Sequence, residues 1–81
     1  MNATNHESVD VEMILNDLYS SEISASISWV RDGGFYVALG APALAEEWSL
    51  PTIRDAVLWL RDQACQHFPE SDFARKYGGF V

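Results

Sequence analysis

The sequence predicts an α+β fold: a helix, an antiparallel sheet of two or three strands, a long helix and a short carboxy-terminal helical turn. Three observations support it. Apolar residues recur with helical spacing in two segments, they alternate with polar residues in two others, and Asp32-Gly33-Gly34 lies between the alternating segments. Because 81 residues make a single modest core, we expect one domain over residues 8–81, preceded by a polar, flexible tail over residues 1–7.

The first predicted element is a helix from about Ser8 to Ser20. Its apolar residues recur at i, i+3, i+4 and i+7, the spacing of one helical face: Val11, Ile14, Leu15 and Leu18. Ser8 is placed to cap the first turn, and Asp10 and Glu12 put negative charge near the positive end of the helix dipole. The serine pair at 20–21 then ends the helix.

Two strands joined as a hairpin follow the helix. Residues 23–29 alternate between apolar side chains and serine, and residues 35–39 show the same period of two. For both apolar sets to share one face, the loop must contain an odd number of residues. A three-residue loop, Asp32 to Gly34, pairs Trp29 with Val37. The next pair on that face is Ile27 with Leu39, and we expect this face, Trp29 included, to pack in the core beneath the long helix that begins near Ile53. The other face carries Ser26, Ser28, Tyr36 and Ala38, and it is either solvated or covered by another chain.

Residues 44–50 form either a short third strand or an irregular connection. In a strand, four residues share one side: Leu44, Glu46, Trp48 and Leu50. Glu46 interrupts this otherwise apolar side. In an irregular connection, Trp48 instead folds onto the core.

The long helix has the clearest pattern in the chain. Its apolar stripe has helical spacing and consists of Ile53, Ala56, Val57, Leu60, Ala64 and Phe68. Thr52, followed three residues later by Asp55, resembles a capping box. Pro51 is tolerated just before the helix, and Pro69 prevents its continuation beyond Phe68.

A final helical turn is expected from about Ser71 to Tyr77, and Gly78-Gly79 ends it. Trp59 lies off the apolar stripe of the long helix, roughly 120° from Ile53 around the helix axis. It therefore needs cover, either from the carboxy-terminal aromatic residues Phe73, Tyr77 and Phe80 or from a dimer or other partner.

The charge balance restricts the classes of partner. Twelve acidic and five basic residues give a net charge of −7, which argues against nucleic acid and anionic membranes as partners. This charge either keeps the chain soluble or steers it to a basic protein. The single Cys65 excludes an internal disulfide and suits a reducing compartment. The first 20 residues do not resemble a signal peptide, and no apolar stretch approaches the roughly 20 residues that span a bilayer, so we expect a cytoplasmic protein.

The candidate chemical groups do not converge. Cys65 and His67 are two residues apart on a helix and point in different directions, so we expect no metal and no cofactor. The glycines of the hairpin lead into a strand, so they do not form a phosphate loop. The acids that a small enzyme would use need a pocket to shift their pKa values: Glu46, Glu47, Asp55 and Asp62. We therefore expect no catalytic residues and predict partner contacts at Tyr36, Trp48 and Trp59.

Two segments carry a family resemblance. Residues 32–39, Asp-Gly-Gly-Phe-Tyr-Val-Ala-Leu, and residues 52–56, Thr-Ile-Arg-Asp-Ala, resemble the core of HicB-type antitoxins over residues 23–68. That family shows a D-G-G-aromatic-V-A strand and a T-x-x-E-A helix start. Here residues 40–44 replace its Pro-Asp-Leu-Pro-Gly stretch, and a helix precedes the first strand. The resemblance implies a bacterial, dimeric module that sequesters a basic ribonuclease toxin and has no activity of its own.

The order of elements also resembles a double-stranded-RNA-binding domain. Such domains place lysines at the start of the last helix, whereas this chain has Arg54 beside Asp55, so we expect no nucleic acid. The leading hypothesis is a small acidic, non-enzymatic protein-binding or regulatory module, antitoxin-like in action. The alternatives are a homodimeric structural domain that self-assembles through a sheet edge or the Trp59 face, and a small enzyme.

Overall fold

Three helices and one three-stranded antiparallel sheet make up the part of the chain that the computed structural model describes, residues 10–78. In chain order they are α1 Val11–Ser20, β1 Ala25–Val30, β2 Gly34–Leu39, β3 Ala45–Leu50, α2 Ile53–His67 and α3 Asp72–Tyr77. The predicted α+β class and element order are confirmed, and residues 44–50 contain a strand. Within residues 10–78, no helix has the length and apolar character needed to cross a lipid bilayer. The predicted tail over residues 1–7 and Phe80 lie outside the described residues.

Helix α1 begins at Val11, and Asp10 is its N-cap. The Asp10 carboxylate accepts a hydrogen bond from the amide of Met13 at 2.9 Å, which satisfies one of the free N–H groups of the first turn. The predicted cap, Ser8, lies outside the described residues, and Asp10 takes that role. The helix ends at Ser20 as predicted, with Ser21 as its C-cap.

The hairpin register differs from the prediction by two residues. Strand β1 pairs Ile27 with Val37 and Trp29 with Phe35, so the predicted pairing of Trp29 with Val37 was wrong. The predicted pairing of Ile27 with Leu39 was wrong too, because Leu39 lies opposite Ala25. The loop between the paired residues Val30 and Gly34 still contains three residues, an odd number, so the apolar sets share one face as predicted.

The register differs because Gly34 belongs to the sheet and not to the turn. The Gly33 amide donates to the Val30 carbonyl at 2.9 Å, and Asp32 takes the left-handed conformation with a φ of 66°. Gly34, with a φ of 77°, approaches β3 so closely that an added Cβ would lie 2.6 Å from the Leu50 carbonyl oxygen. Because the close approach to β3 requires a glycine at position 34, Gly34 belongs to β2. The turn therefore lies one residue earlier than the sequence predicted.

This register changes the position of Trp29. The sequence placed Trp29 beneath the long helix, beside Val37. The structure places it opposite Phe35 at the turn end of β1, and its side chain is 77% exposed. The core instead takes Ile27 from β1, as a partly buried neighbour.

Strand β3 contains a bulge. Phe35 pairs with Leu50 but Val37 pairs with Glu47, so Trp48 and Ser49 together lie opposite Tyr36. Ser49 has a φ of 65°, as the extra residue of the bulge. The predicted alternation that put Trp48 and Leu50 on one side was wrong, because the bulge turns Leu50 to the opposite face. Leu44 precedes the strand and is 55% exposed.

Helix α2 follows the prediction closely. The Thr52 hydroxyl accepts a hydrogen bond from the Asp55 amide at 3.0 Å, and the helix ends with Phe68 as its C-cap. Its buried residues start at Ala56, so Ile53, which is 42% exposed in the first turn, does not belong to the buried stripe. The core between helices and sheet consists of Ile14, Leu18, Ile23, Val37, Leu39, Ala56, Val57, Leu60, Ala64 and Phe73.

Helix α3 is held in place by its aromatic residues and by a polar contact with α1. Phe73 is 1% exposed in the core, and the Tyr77 ring stacks on it with a centroid distance of 4.4 Å. The Tyr77 hydroxyl donates to Asp17 Oδ2 at 2.5 Å, and Lys76 Nζ lies 2.9 Å from the same oxygen. This contact joins the last described helix to the first.

The contact between α3 and α1 predicts a pH dependence. The hydrogen bond from Tyr77 and, to a smaller extent, that from Lys76 lower the pKa of Asp17 below 3.8. The stabilisation that ionised Asp17 provides is therefore present above pH 3.8 and is lost as pH falls through the lowered value. Burial and, to a smaller extent, the hydrogen bond to Asp17 raise the pKa of Tyr77 above 10.0. The stabilisation that the protonated Tyr77 hydroxyl provides is therefore present below pH 10.0 and is lost as pH rises toward the pKa of Tyr77 in the folded protein.

We therefore expect Tyr77→Phe to lower the free energy of unfolding by a constant amount between these limits. The difference from wild type should narrow below pH 3.8 and above pH 10.0, as measured by urea unfolding across the pH range. Tyr19→Phe is the control, because that tyrosine is 85% exposed and its removal should change little. A difference that stays the same at all pH values would contradict this prediction.

Candidate partner-binding site

The sheet has one face against the helices and one face without them. Val37 and Leu39 point to the helices and have no exposed surface. The opposite face is covered by no helix in the described part of the chain, and we call it the open face. Its residues alternate along the strands with those that point to the helices: Ser26, Ser28, Tyr36, Ala38, Glu46 and Trp48.

An aromatic pair lies on the open face, between the central strand β2 and the edge strand β3. The rings of Tyr36 and Trp48 lie with centroids 4.2 Å apart and planes tilted by 45°. The Tyr36 hydroxyl donates to Glu46 Oε1 at 2.6 Å, and this hydrogen bond, more than burial, raises the pKa of Tyr36. The Trp48 side chain is nevertheless 58% exposed. Contacts within the protein thus fix the orientation of an indole that faces solvent, so Trp48 itself would lose little side-chain entropy when a partner binds.

The regular pairing at the start of β3 gives Trp48 this position, because the pairs Ala38–Glu46 and Val37–Glu47 continue to Tyr36 opposite Trp48. Two residues of β3 lie opposite Tyr36, and of these Trp48 is the one whose ring contacts the tyrosine. The bulge comes after Trp48, at Ser49, and it redirects Leu50 to the helical side. Glu46 reaches the tyrosine hydroxyl because its own pairing partner, Ala38, neighbours Tyr36 on the same face.

The structure brings two of the three predicted contact residues together. Tyr36 and Trp48 form the aromatic pair, whereas Trp59 lies on α2, in the helical layer on the other side of the sheet. Trp59 is partly buried and packs against the core that contains Phe73. Its contacts place it apart from the open face.

Sequence reasoning missed the roles of two residues. Glu46 was considered only among the acids that a small enzyme would use, but its carboxylate accepts the hydrogen bond that anchors Tyr36, and the register of β3 reveals this. Trp29 was expected in the core and is the second most exposed large hydrophobic residue after Tyr19, at 77% against 85%. Its place at the turn end of β1 follows from the observed hairpin register.

The groups considered for catalysis lie in different parts of the fold. Cys65 lines a shallow pocket with Arg61, Asp62 and Tyr77, and burial raises the pKa of its thiol, with Asp62 adding to the effect. A thiol with a raised pKa is a poor nucleophile at neutral pH. Asp62 pairs with Arg61 at 3.3 Å, and within residues 10–78 there is no group of three His, Cys, Asp or Glu residues positioned to hold a metal ion.

Comparisons with protein-family models, with curated proteins and with solved structures give no significant match to this chain. The resemblance to HicB-type antitoxins therefore stays a prediction from residues 32–39 and 52–56.

Proposed function

We propose that this chain is a non-enzymatic protein-binding module, antitoxin-like in action, that holds a basic protein against the open face. The observation that supports this most is the exposed Trp48 indole, fixed by Tyr36, which Glu46 in turn anchors. Tryptophan and tyrosine dominate the binding energy of many protein interfaces. An exposed tryptophan held by a half-buried tyrosine, with a carboxylate beside them, suits recognition better than catalysis.

The chemistry of the open face indicates a partner rich in arginine. An arginine guanidinium stacks on aromatic rings and forms hydrogen bonds with carboxylates, and the open face offers both groups within one patch. The five basic residues of the chain lie elsewhere, in the hairpin turn and on α2 and α3: Arg31, Arg54, Arg61, Arg75 and Lys76. With a net charge of −7, the whole chain attracts a basic partner over a longer range.

The family resemblance supports the same surface. The segment that resembles HicB-type antitoxins, residues 32–39, forms β2 with part of the preceding turn. It supplies Tyr36 and Ala38 to the open face. The basic ribonuclease toxin that the resemblance implies has the charge that this face fits.

Differential capture from a bacterial lysate at about 50 mM salt tests the proposal. We expect the wild-type chain to retain a basic protein that Trp48→Ala loses, because hot-spot aromatic residues contribute roughly thirtyfold or more to affinity. Trp29→Ala is the matched control, since it also removes an exposed indole but lies outside the open face. Retention should fall at about 500 mM salt, where charges are screened.

Two results would refute the proposal. One is the recovery of no basic protein by the wild-type chain at low salt. The other is an identical set of captured proteins for wild type and Trp48→Ala. Circular dichroism of each variant should match wild type, because Trp48 and Trp29 are 58% and 77% exposed and neither belongs to the core.

A further inference from the structure

The two edge strands of the sheet differ in how well they are protected against pairing with another strand. Strand β3 carries Glu46, Glu47, a bulge and a following Pro51, the features that prevent a sheet edge from pairing with another strand. Strand β1, Ala-Ser-Ile-Ser-Trp-Val, has no charge, no proline and no bulge, and no strand within residues 10–78 pairs with its outer edge. The β1 edge is thus open to pairing.

The backbone of β1 directs alternate residues to its outer edge. The Gly40 amide donates to the Ser24 carbonyl at 2.7 Å, so the backbone groups of Ser24 point to β2. Because this direction alternates along an antiparallel strand, the outward N–H and C=O groups belong to Ala25, Ile27 and Trp29. These residues also direct their side chains to the helical side of the sheet, since they pair with Leu39, Val37 and Phe35.

We propose that a second copy of this chain pairs with β1, antiparallel, about a two-fold axis at Ile27. In this register Ile27 lies opposite Ile27 of the second copy, and Ala25 lies opposite Trp29 of the second copy. All outward backbone groups of these residues are then satisfied, by about six hydrogen bonds between the chains. The two sheets become one six-stranded sheet, and both helical layers lie on the same side.

A groove at the start of β1 identifies the second copy as the occupant. An open groove of about 730 Å³ lies between the end of α1 and the start of β1, and Ala25 is one of its lining residues. Leu15, Leu18 and Ile23 supply apolar lining. The two-fold pairing brings the Trp29 indole of each copy to the groove of the other. One strand therefore carries both the projecting side chain and the groove that receives it, as a self-complementary interface requires.

The charge distribution also favours this edge for a second copy. Two chains that each carry a charge of −7 repel one another, and β1 is a strand without charged residues. Salt screens this repulsion, so the dimer should strengthen with salt. Binding of a basic partner at the open face should weaken with salt, which makes the two interactions distinguishable.

Sedimentation velocity of the full chain from about 1 to 100 μM tests the dimer. We expect wild type and Trp48→Ala to form the dimer equally well. For Trp29→Ala we expect the dissociation constant of the dimer to be at least about thirtyfold higher, as for the loss of an interface hot spot. Trp29 is 77% exposed, so its replacement should leave the monomer folded. A wild-type monomer at 100 μM, or an unchanged dissociation constant for Trp29→Ala, would overturn the proposal.

Cysteine cross-linking tests the register. In the proposed pairing Ser26 lies opposite the second copy's Ser28 with Cα atoms about 4.5 Å apart, a distance that a disulfide spans. In a Cys65→Ser background, oxidising a mixture of the Ser26→Cys and Ser28→Cys proteins should give a covalent dimer. Either protein alone should give little, because equal positions lie too far apart. Equal yields from the mixture and from the single proteins, or no covalent dimer in the mixture, would overturn this register.

Discussion

Gly34→Ala should lower the free energy of unfolding by at least about 2 kcal/mol. Two effects add: the residue has a φ of 77°, which costs any side chain energy, and the new Cβ would lie 2.6 Å from the Leu50 carbonyl oxygen. For a domain of this size, the midpoint of thermal unfolding should fall by about 8–16 °C. Thermal and urea unfolding followed by circular dichroism measure both quantities.

Gly33→Ala is the matched control for this prediction. Gly33 does not have a positive φ, and an added Cβ would meet the Val30 Cγ1 atom, in a side chain, at 3.2 Å. We expect a loss below about 1 kcal/mol, because a side chain yields more easily than a backbone carbonyl. Equal losses for the two variants would show that Gly34 does not make the close approach to β3.

Phe73→Ala should cost about 3–5 kcal/mol in the free energy of unfolding. Phe73 is 1% exposed and is the largest fully buried side chain among the described residues. A domain of this length has a total stability of only about 4–12 kcal/mol. The variant should therefore be close to unfolding at room temperature, and urea unfolding should show a much lower midpoint.

Two controls separate this effect from the general loss of an aromatic ring. Phe73→Leu keeps most of the volume and should cost about 1–2 kcal/mol. Tyr19→Ala removes a ring that is 85% exposed and should change the stability by less than about 0.5 kcal/mol. If Phe73→Ala unfolds at the same urea concentration as wild type, α3 does not belong to the core.

The elements that local sequence determines were predicted well. Helix α2 follows from its cap at Thr52, its apolar spacing and Pro69 after its end, all of which lie within or beside the helix. The shared face of β1 and β2 follows from the odd number of loop residues alone. The register within that constraint was wrong, because the need for glycine at residue 34 comes from β3, which lies 16 residues later at Leu50.

The candidate site was predicted only in part, for the same reason. Tyr36 and Trp48 were named from the sequence, but their contact depends on the pairing register of β2 with β3, which no local pattern indicated. Trp29 was assigned to the core, since an apolar residue on the inner face of a strand is usually buried. Its exposure depends on where along the strand the helices pack, which is a tertiary property.

The two proposed interactions use separate surfaces. The open face presents Tyr36 and Trp48 on the side of the sheet away from the helices, and the β1 edge presents Trp29 toward the helical side. Dimerisation through β1 would join two open faces into one surface with two aromatic pairs. Each copy would then keep its own site for a basic partner.

The affinity of the captured basic protein, purified and measured in solution by calorimetry, tests the binding role of the open face most directly. We expect the dissociation constant to rise at least about thirtyfold for Trp48→Ala and to stay within about threefold for Trp29→Ala. An unchanged dissociation constant for Trp48→Ala would contradict the assignment of the open face as the binding site.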